Sequence, residues 1–292
     1  MERQPFFFEV RLQLKLNSMR KRIYNLALIS TALPIFFLAC KKDSTTPTAT
    51  LVKEWTVLLS VKNEIRSHAG RTETGTATIR LLSDNTITYQ ITVNGLTSGD
   101  GLTAAHIHAG NVITSGPVVL GFDPVFTGST ATGTIKNIRS TFIDSLKDDV
   151  NELYFNVHST QQPGGLIRGQ LNVGIEMAED VVLLGTHEAT PVTTTATGLA
   201  ILRLTDDKKL YSKVTITNLE AGDTVVAAHI HTGPTGVNGP VIVGLCAKAA
   251  DFGTAKIFTL TDALFTTVKT EAVYVNAHSV NHPGGVIRGQ IR

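Results

Sequence analysis

The sequence is poor in cysteine and in charge, and both scarcities narrow what the protein can be. Its 292 residues include two cysteines, Cys40 and Cys246, so the chain cannot build a framework of several disulfides. Charged residues make up 17% of the chain, against about a quarter in an average soluble domain. This composition excludes both a disulfide-stapled small domain and a highly charged disordered chain.

A basic surface is also missing from most of the chain. The formal net charge is +2, but residues 1–39 hold six Lys and Arg against two Asp and Glu, which leaves 20 basic and 22 acidic residues after them. Nucleic-acid binding requires a basic patch or stripe. We therefore expect no nucleic acid among the partners.

Recognisable catalytic patterns are absent as well. No serine, cysteine or pair of carboxylates stands in a hydrolase or glycosidase arrangement. The sequence therefore predicts a protein that is not an enzyme, with metal-dependent redox activity left open.

The amino-terminal segment predicts export. From Met19 a short basic start is followed by about seventeen mostly apolar residues and then by the small residue Ala39, which is the pattern of a signal peptide. The apolar run is marginal for crossing a bilayer core of ~30 Å. We interpret residues 1–39 as a signal segment and place the true start at Met19.

The end of this segment predicts a lipid anchor. Residues 37–40 read FLAC, which resembles a bacterial lipobox, although phenylalanine stands where the motif usually has leucine. The resemblance implies that Cys40 is lipidated and begins the mature protein, and that the polar residues 40–50 form a flexible tether. We expect a protein of the cell envelope, on the extracytoplasmic side, that contacts the membrane through its lipid.

The rest of the chain repeats itself at a shift of about 123 residues. The segment AAHIH at 104–108 recurs at 227–231, and the YFNVHS…PGG…IRGQ ending of 154–170 recurs as YVNAHS…PGG…IRGQ at 274–290. Matches of this length indicate a duplicated domain. The predicted boundaries are 51–173 for the first domain, 174–179 for a linker and 180–292 for the second domain.

Each copy has the pattern of an all-β domain. Short runs rich in Val, Ile and Thr alternate with Gly, Pro, Asn and Asp at spacings of roughly 8 to 15 residues, as in sandwiches and barrels. We predict two tandem β-sandwich-like domains, with short helical turns at 142–152 and 262–270, after the signal segment. The predicted strands are 55–61, 75–82, 86–93, 104–108, 117–121, 131–136, 153–158 and 166–171, then 181–186, 197–204, 209–217, 226–231, 240–245, 255–260, 272–278 and 286–291.

The repeated motifs also suggest a family. The second copy reads LGTHEATPV at 184–192 before its HIH segment and its ending, whereas the first copy reads KNEIRS at 62–67 in the corresponding place. Together these motifs resemble the CHRD domain, a module named after the animal protein chordin and also found in exported bacterial proteins. Leu166 and Val286 stand where the family often has an acidic residue. The resemblance covers nearly all of 51–292 and implies an extracellular binding module, since in animals such domains belong to a regulator that binds growth factors.

One face of the predicted strands is polar in both copies. Alternation places His106 and His108 on the same face of one strand, and Tyr154, Asn156 and His158 on the same face of another. In the second of these strands the apolar residues between the polar ones differ between the copies, whereas the polar residues do not. The residues of this predicted polar network are Tyr154, Asn156, Arg168, Gln170 and Glu64, with Tyr274, Asn276, Arg288, Gln290 and Glu188 in the second copy.

This polar face allows three interpretations. The favoured one is a structural hydrogen-bonded network without a cofactor, in an exported, membrane-anchored, non-enzymatic binding or structural protein whose ligand is an extracellular protein or polymer. The alternative is a metal-binding envelope protein, because three neutral imidazoles are a suitable ligand set for zinc or copper. A site for an organic or protein ligand on the same face is the third. The metal ligands of the alternative are His106, His108 and His158 in the first copy, and His229, His231 and His278 in the second.

Overall fold

A computed structural model of the protein describes residues 48–65 and 67–292. The predicted signal segment, the lipidation site at Cys40 and most of the tether lie outside the described residues. Thr48–Arg292 form one compact unit that contains both repeats. Within the described part of the chain, no helix is long and apolar enough to cross a membrane.

The two repeats contain the same succession of strands, each with one short helix. The elements of the first domain are β1 (Leu51–Ser60), β2 (Thr74–Leu82), β3 (Ile87–Asn94), β4 (Leu102–Ala109), β5 (Val118–Gly121), β6 (Thr130–Ile135), α1 (Ser140–Lys147), β7 (Leu153–Ser159) and β8 (Ile167–Gln170). Those of the second are β9 (Ile175–Leu184), β10 (Thr197–Thr205), β11 (Lys209–Thr217), β12 (Val225–Thr232), β13 (Val241–Cys246), β14 (Lys256–Thr259), α2 (Asp262–Thr270), β15 (Val273–Ser279) and β16 (Ile287–Gln290).

Each domain is built on one antiparallel eight-stranded sheet. The strand order is β5-β4-β7-β8-β1-β2-β3-β6 in the first domain, and the second repeats it as β13-β12-β15-β16-β9-β10-β11-β14. In the first domain the two halves of the sheet join through a single residue pair, Ser60 with Arg168. The halves face each other across the core, where Phe122 packs edge-on against Tyr89 of one half and Phe155 of the other at centroid distances of 5.1 and 5.0 Å. The prediction of two tandem all-β, sandwich-like domains is therefore confirmed.

Alternation along the strands explains how each domain fills its core. On β2, Ala77, Ile79 and Leu81 are fully buried, while the residues between them face outward. Side chains two apart in a strand share a face, so one apolar row per strand is enough to build a core between the halves. Each domain buries its own large apolar cluster in this way.

Several predicted boundaries need correction. Residues 174–179 are not a free linker, because β9 begins at Ile175 and its backbone pairs with β10, with Met177 buried in the second core. The first helix ends at Lys147 rather than near 152, since the backbone turns extended at Asp148. The connection between the domains is therefore only a few residues long.

The two domains also share a small apolar contact of their own. Val112 and Ile113 of the first domain pack against Ile201 and Tyr211 of the second. Beside this contact the fully buried Arg203 donates hydrogen bonds across the boundary and within its own domain. The relative placement of the domains is fixed by burial as well as by the short connection.

Candidate metal centre

The histidines of the HIH segments lie on the outer face of the sheet, away from the core. On β4, Ala105 and Ile107 are fully buried in the core, so His106 and His108 between and beyond them face the other way. β4 pairs with β7 in a register that sets Ala104 opposite His158. The third histidine is thereby brought next to the first two from a neighbouring strand.

The three histidines of each copy converge. His106, His108 and His158 each offer a ring nitrogen, and these nitrogens all lie within 4.8 Å of one another. The closest approach, between His106 Nδ1 and His158 Nε2, is 3.0 Å. The second domain repeats the cluster with the same limit, using His229, His231 and His278.

In two of the three rings of each cluster, a backbone carbonyl determines which ring nitrogen is free to bind a metal. His108 Nδ1 lies 3.0 Å from the carbonyl oxygen of Gly116, and His158 Nδ1 lies 3.0 Å from that of Pro163. A carbonyl oxygen only accepts, so each Nδ1 must donate a proton to it, and in a neutral imidazole the lone pair then resides on Nε2. The second domain has the same bonds, from His231 to Gly239 O at 2.9 Å and from His278 to Pro283 O at 3.0 Å.

Four of the six nitrogens that point into the clusters lack hydrogen-bond partners, whereas His106 Nδ1 and His158 Nε2 of the first cluster are hydrogen-bonded to each other. Among the described residues, the buried side-chain nitrogens without a partner include His108 Nε2 in the first domain and His229 Nδ1, His231 Nε2 and His278 Nε2 in the second. The second set is the whole cluster of that domain. A buried polar atom without a partner costs about 1–3 kcal/mol, so three lone pairs aimed at one point form a cluster that a cation would stabilise.

Burial also keeps these rings in the form that binds metal. The pKa values of His106, His108 and His158 are lowered, chiefly because burial disfavours the charged imidazolium. The same cause lowers the pKa values of His229 and His278. Neutral imidazole is the ligand form, so these rings are prepared for a cation at neutral pH.

Behind the histidines lies a stack of planar groups. The Tyr154 ring is parallel to the His108 ring, with centroids 4.8 Å apart and an interplanar angle of 9°. The Arg168 guanidinium lies 3.4 Å from the centre of the same tyrosine ring. The second domain repeats this stack with His231, Tyr274 and Arg288. Arg168 and Arg288 therefore lie on the far side of a tyrosine ring from the histidines and do not enter the clusters.

Arginine and glutamine of the polar network hold the loop that carries the carbonyl acceptor. We call residues 110–117 the first cover loop and residues 233–240 the second. Arg168 donates to the carbonyls of Asn111 and Thr114, and Gln170 donates to that of Gly110. The network and the histidine cluster are therefore not alternatives, because the network positions the loop whose Gly116 carbonyl orients His108.

The repeated glutamates lie in the polar network and outside the histidine clusters. Glu64 and Glu188 bond to the side chains of Asn156 and Asn276, respectively. Burial raises the pKa of each glutamate to about 7, although the nearby Arg168 or Arg288 lowers it. Neither carboxyl group is among the converging ligand atoms.

Sequence reasoning found the six histidines but missed the carbonyl acceptors and the cover loops. The repeated Gly-Pro at 116–117 and 239–240 was a usable signal. A Cβ on Gly116 would meet the backbone oxygen of Ala109 at 1.8 Å, so glycine is required where the loop returns to the strand. The remaining free cysteine, Cys246, is buried in the second core, and burial raises its pKa to about 11, which makes it an unreactive thiol.

Comparison with known protein families identifies the CHRD domain. The model of the CHRD domain matches the chain twice, over residues 55–171 and 180–291. No curated protein and no solved structure matches the chain.

Proposed function

The chain belongs to the CHRD domain family, and from that starting point we propose that it is an exported, envelope-anchored protein whose two domains each bind one zinc or copper ion. One observation carries the metal proposal. In the second domain all three imidazole nitrogens that converge on one point are buried and lack a hydrogen-bond partner.

The oriented rings support a metal site over a purely structural network. A metal-binding histidine usually donates its other ring N–H to a carbonyl or carboxylate, which fixes the tautomer and the direction of the lone pair. His108, His158, His231 and His278 have such a bond. A structural network would use the facing nitrogens as acceptors for hydrogen bonds, and the second domain supplies no donor to them.

The ligand chemistry narrows the metal. Each set consists of three neutral nitrogen donors without a carboxylate or a thiolate. Imidazole ligands suit zinc and copper, whereas calcium and magnesium prefer oxygen. Three protein ligands leave a fourth position for water or a small exogenous ligand.

The metal proposal is tested by counting ions in variants. The full chain, purified in detergent and stripped of metal, should retain one ion per domain after it is loaded with zinc or copper and dialysed, as measured by mass spectrometry of the metal. His106→Ala with His108→Ala should remove the ion of the first domain only, and His229→Ala with His231→Ala that of the second only.

A matched control separates site loss from histidine loss. His187 is exposed and belongs to neither cluster, so His187→Ala should keep both ions. A variant that combines the two pairs of substitutions should bind neither ion. If this quadruple variant retains as much metal as the parent protein, the ions bind elsewhere and the proposal is refuted.

Export and anchoring form the second part of the proposal. They rest on the signal-like segment that ends at Cys40 and on the resemblance of residues 37–40 to a lipobox. An acylated native amino terminus at Cys40, detected by mass spectrometry, is the expected result, and an unmodified chain beginning at Met1 would contradict it.

A further inference from the structure

The two histidine clusters use equivalent residues, although His106 and His158 are hydrogen-bonded to each other and the equivalent His229 and His278 are not. The loops that orient the clusters differ further in their surroundings. Each cover loop provides the carbonyl acceptor of one ligand, Gly116 O for His108 and Gly239 O for His231. Each loop is also bonded by a buried arginine from below, with Arg288 donating to Pro234 O and Val237 O as Arg168 does in the first domain. The difference lies on the outer side of the loops.

The first cover loop is packed beneath the second domain. Its residues Val112 and Ile113 are 1% and 6% exposed and lie in the apolar cluster with Ile201 and Tyr211. Leu199 packs against the same cluster. This loop cannot move away from His108 unless the contact between the domains opens.

The second cover loop has no such support among the described residues. The positions that correspond to Val112 and Ile113 at a shift of 123 are Thr235 and Gly236, and both are exposed. Val237 beside them is 52% exposed. Among the described residues, this loop is held by its own domain, through bonds such as those from Arg288 and Gln290 to its carbonyls.

The other side of the contact shows the same asymmetry in sequence. The second domain presents Leu199, Ile201 and Tyr211 to the first cover loop. At the corresponding positions of the first domain, 123 residues earlier, the chain has threonine. At these equivalent positions, apolar residues occur only in the copy whose surface takes part in the contact. The contact is therefore specific to these two surfaces. The threonines at those positions are Thr76, Thr78 and Thr88.

We infer that the second domain acts as a support for the metal site of the first, so that the first site binds its ion more tightly than the second. The inference rests on the proposed metal binding. A partner that orients a ligand is worth about 10- to 100-fold in metal affinity, and a loop that must first be ordered lowers the apparent affinity by the fraction of time it is out of place. The supported loop avoids that loss, whereas the exposed loop does not.

Full-length chains with a single remaining site measure the difference. His229→Ala with His231→Ala leaves the first site, and His106→Ala with His108→Ala leaves the second. Titration of each chain with zinc in competition with a chromophoric chelator should give an affinity about tenfold higher for the first site. A parallel series with copper should give the same order.

Variants of the contact then test its cause. Leu199→Thr, Ile201→Thr and Tyr211→Thr together give the second domain the residues of the first, and they should weaken zinc binding about tenfold in the first-site chain but not in the second-site chain. Val125 is an exposed apolar residue of the first domain outside the contact, so Val125→Thr is the control and should change neither affinity.

A second variant approaches the contact from the loop. Val112→Thr with Ile113→Gly gives the first cover loop the residues of the second, and it should also lower the zinc affinity of the first site. This variant tests the inference even where the triple variant does not fold. Equal zinc affinities of the two single-site chains, or a first-site affinity that both contact variants leave unchanged, would overturn the inference while the metal proposal stands. No zinc bound by either chain would overturn both.

Discussion

At the scale of the residue, folding changes the protonation of the two buried glutamates of the polar network. Glu64 is 7% exposed and Glu188 is 8% exposed. Burial raises the pKa of each to about 7, while the nearby arginine and the amide of Asn156 or Asn276 lower it without cancelling that effect. Each carboxyl group therefore stays largely protonated in the folded protein at a pH where it is ionised in the unfolded chain.

This difference predicts how stability depends on pH. Between the unfolded value of 4.5 and the folded value of about 7, Glu64 binds more protons in the folded protein than in the unfolded chain, so its contribution to the free energy of unfolding falls as pH rises. The lowered pKa values of the cluster histidines contribute in the opposite direction. The fall is on the order of 3 kcal/mol for Glu64 across this range. Glu64→Gln should remove this falling contribution, so that the free energy of unfolding of the variant rises relative to that of the parent protein as pH increases from about 5 to 8, as measured by urea unfolding of the metal-free proteins.

An exposed carboxyl group provides the control for that measurement. Glu271 is exposed and lies outside the network, so Glu271→Gln should leave the slope of stability against pH as it is in the parent protein. The same slope in Glu64→Gln would contradict a raised pKa at Glu64.

At the scale of the element, the Pro-Gly-Gly turn between β7 and β8 contains two glycines, of which only the second is required by its surroundings. Gly165 has a φ of 137°, and the equivalent Gly285 of the second domain has a φ of 133°. A Cβ on Gly165 would lie 2.5 Å from Asn156 Nδ2 and 2.9 Å from Glu64 Oε1. A Cβ on Gly164 would meet nothing within 4 Å. The second glycine is thus needed so that the turn can close over the asparagine and glutamate.

The pair offers a comparison within a single turn. Gly165→Ala should lower the free energy of unfolding by roughly 2–4 kcal/mol, since it combines a left-handed backbone with a clash against a buried side chain. Gly164→Ala should change stability by less than about 0.5 kcal/mol. Chemical denaturation of both variants measures the difference, and equal losses would show that the close packing of Gly165 has no energetic weight.

The same hairpin shows how far sequence reasoning reached at this scale. Alternation placed His106 with His108, and Tyr154 with His158, because side chains two apart in a strand share a face in any sheet. The cover loop could not be placed in this way, since a loop has no period and its position depends on which side chain its carbonyls meet. The acceptor of His108 was therefore visible only in the folded chain.

At the scale of the whole molecule, one buried arginine joins the two domains. Arg203 is fully buried, forms an ion pair of 2.9 Å with Asp180 and donates to the carbonyl oxygen of Glu64 in the other domain. Ser67 of the first domain bonds to the same aspartate at 2.7 Å. Opening the boundary would keep the ion pair of Arg203 with Asp180 but would break the bonds that Arg203 and Asp180 make to Glu64 and Ser67, and hydrogen bonds to charged groups are worth about 1.5–3 kcal/mol each.

This contact predicts that the domains unfold together. We expect a single heat-absorption peak for the parent protein in calorimetry, and two peaks or a broadened one for Arg203→Met, because the coupling between the domains is weakened. Arg80, the corresponding residue of the first domain, is an exposed partner of Glu54. Arg80→Met should therefore keep the single peak, and two peaks in the parent protein would show that the domains are independent.

The sequence by itself determined the duplication, the all-β class, most strand positions and the six histidines. Each of these features follows from local periodicity or from a comparison of one copy with the other. Both kinds of reasoning use the sequence alone and need no knowledge of which distant residues are neighbours in the fold. The family resemblance rested on the same motifs and is confirmed by the match over both domains.

Only the tertiary structure decided which groups surround those histidines and how the copies differ. The convergence of the free nitrogens and the contact of Val112 with Ile201 depend on residues far apart in the chain. The carbonyls that orient the rings lie within eight residues of the histidines, but their positions depend on loops that have no regular period. Two equivalent cover loops thus acquire different surroundings, because burial of one of them depends on a domain that the other loop does not meet.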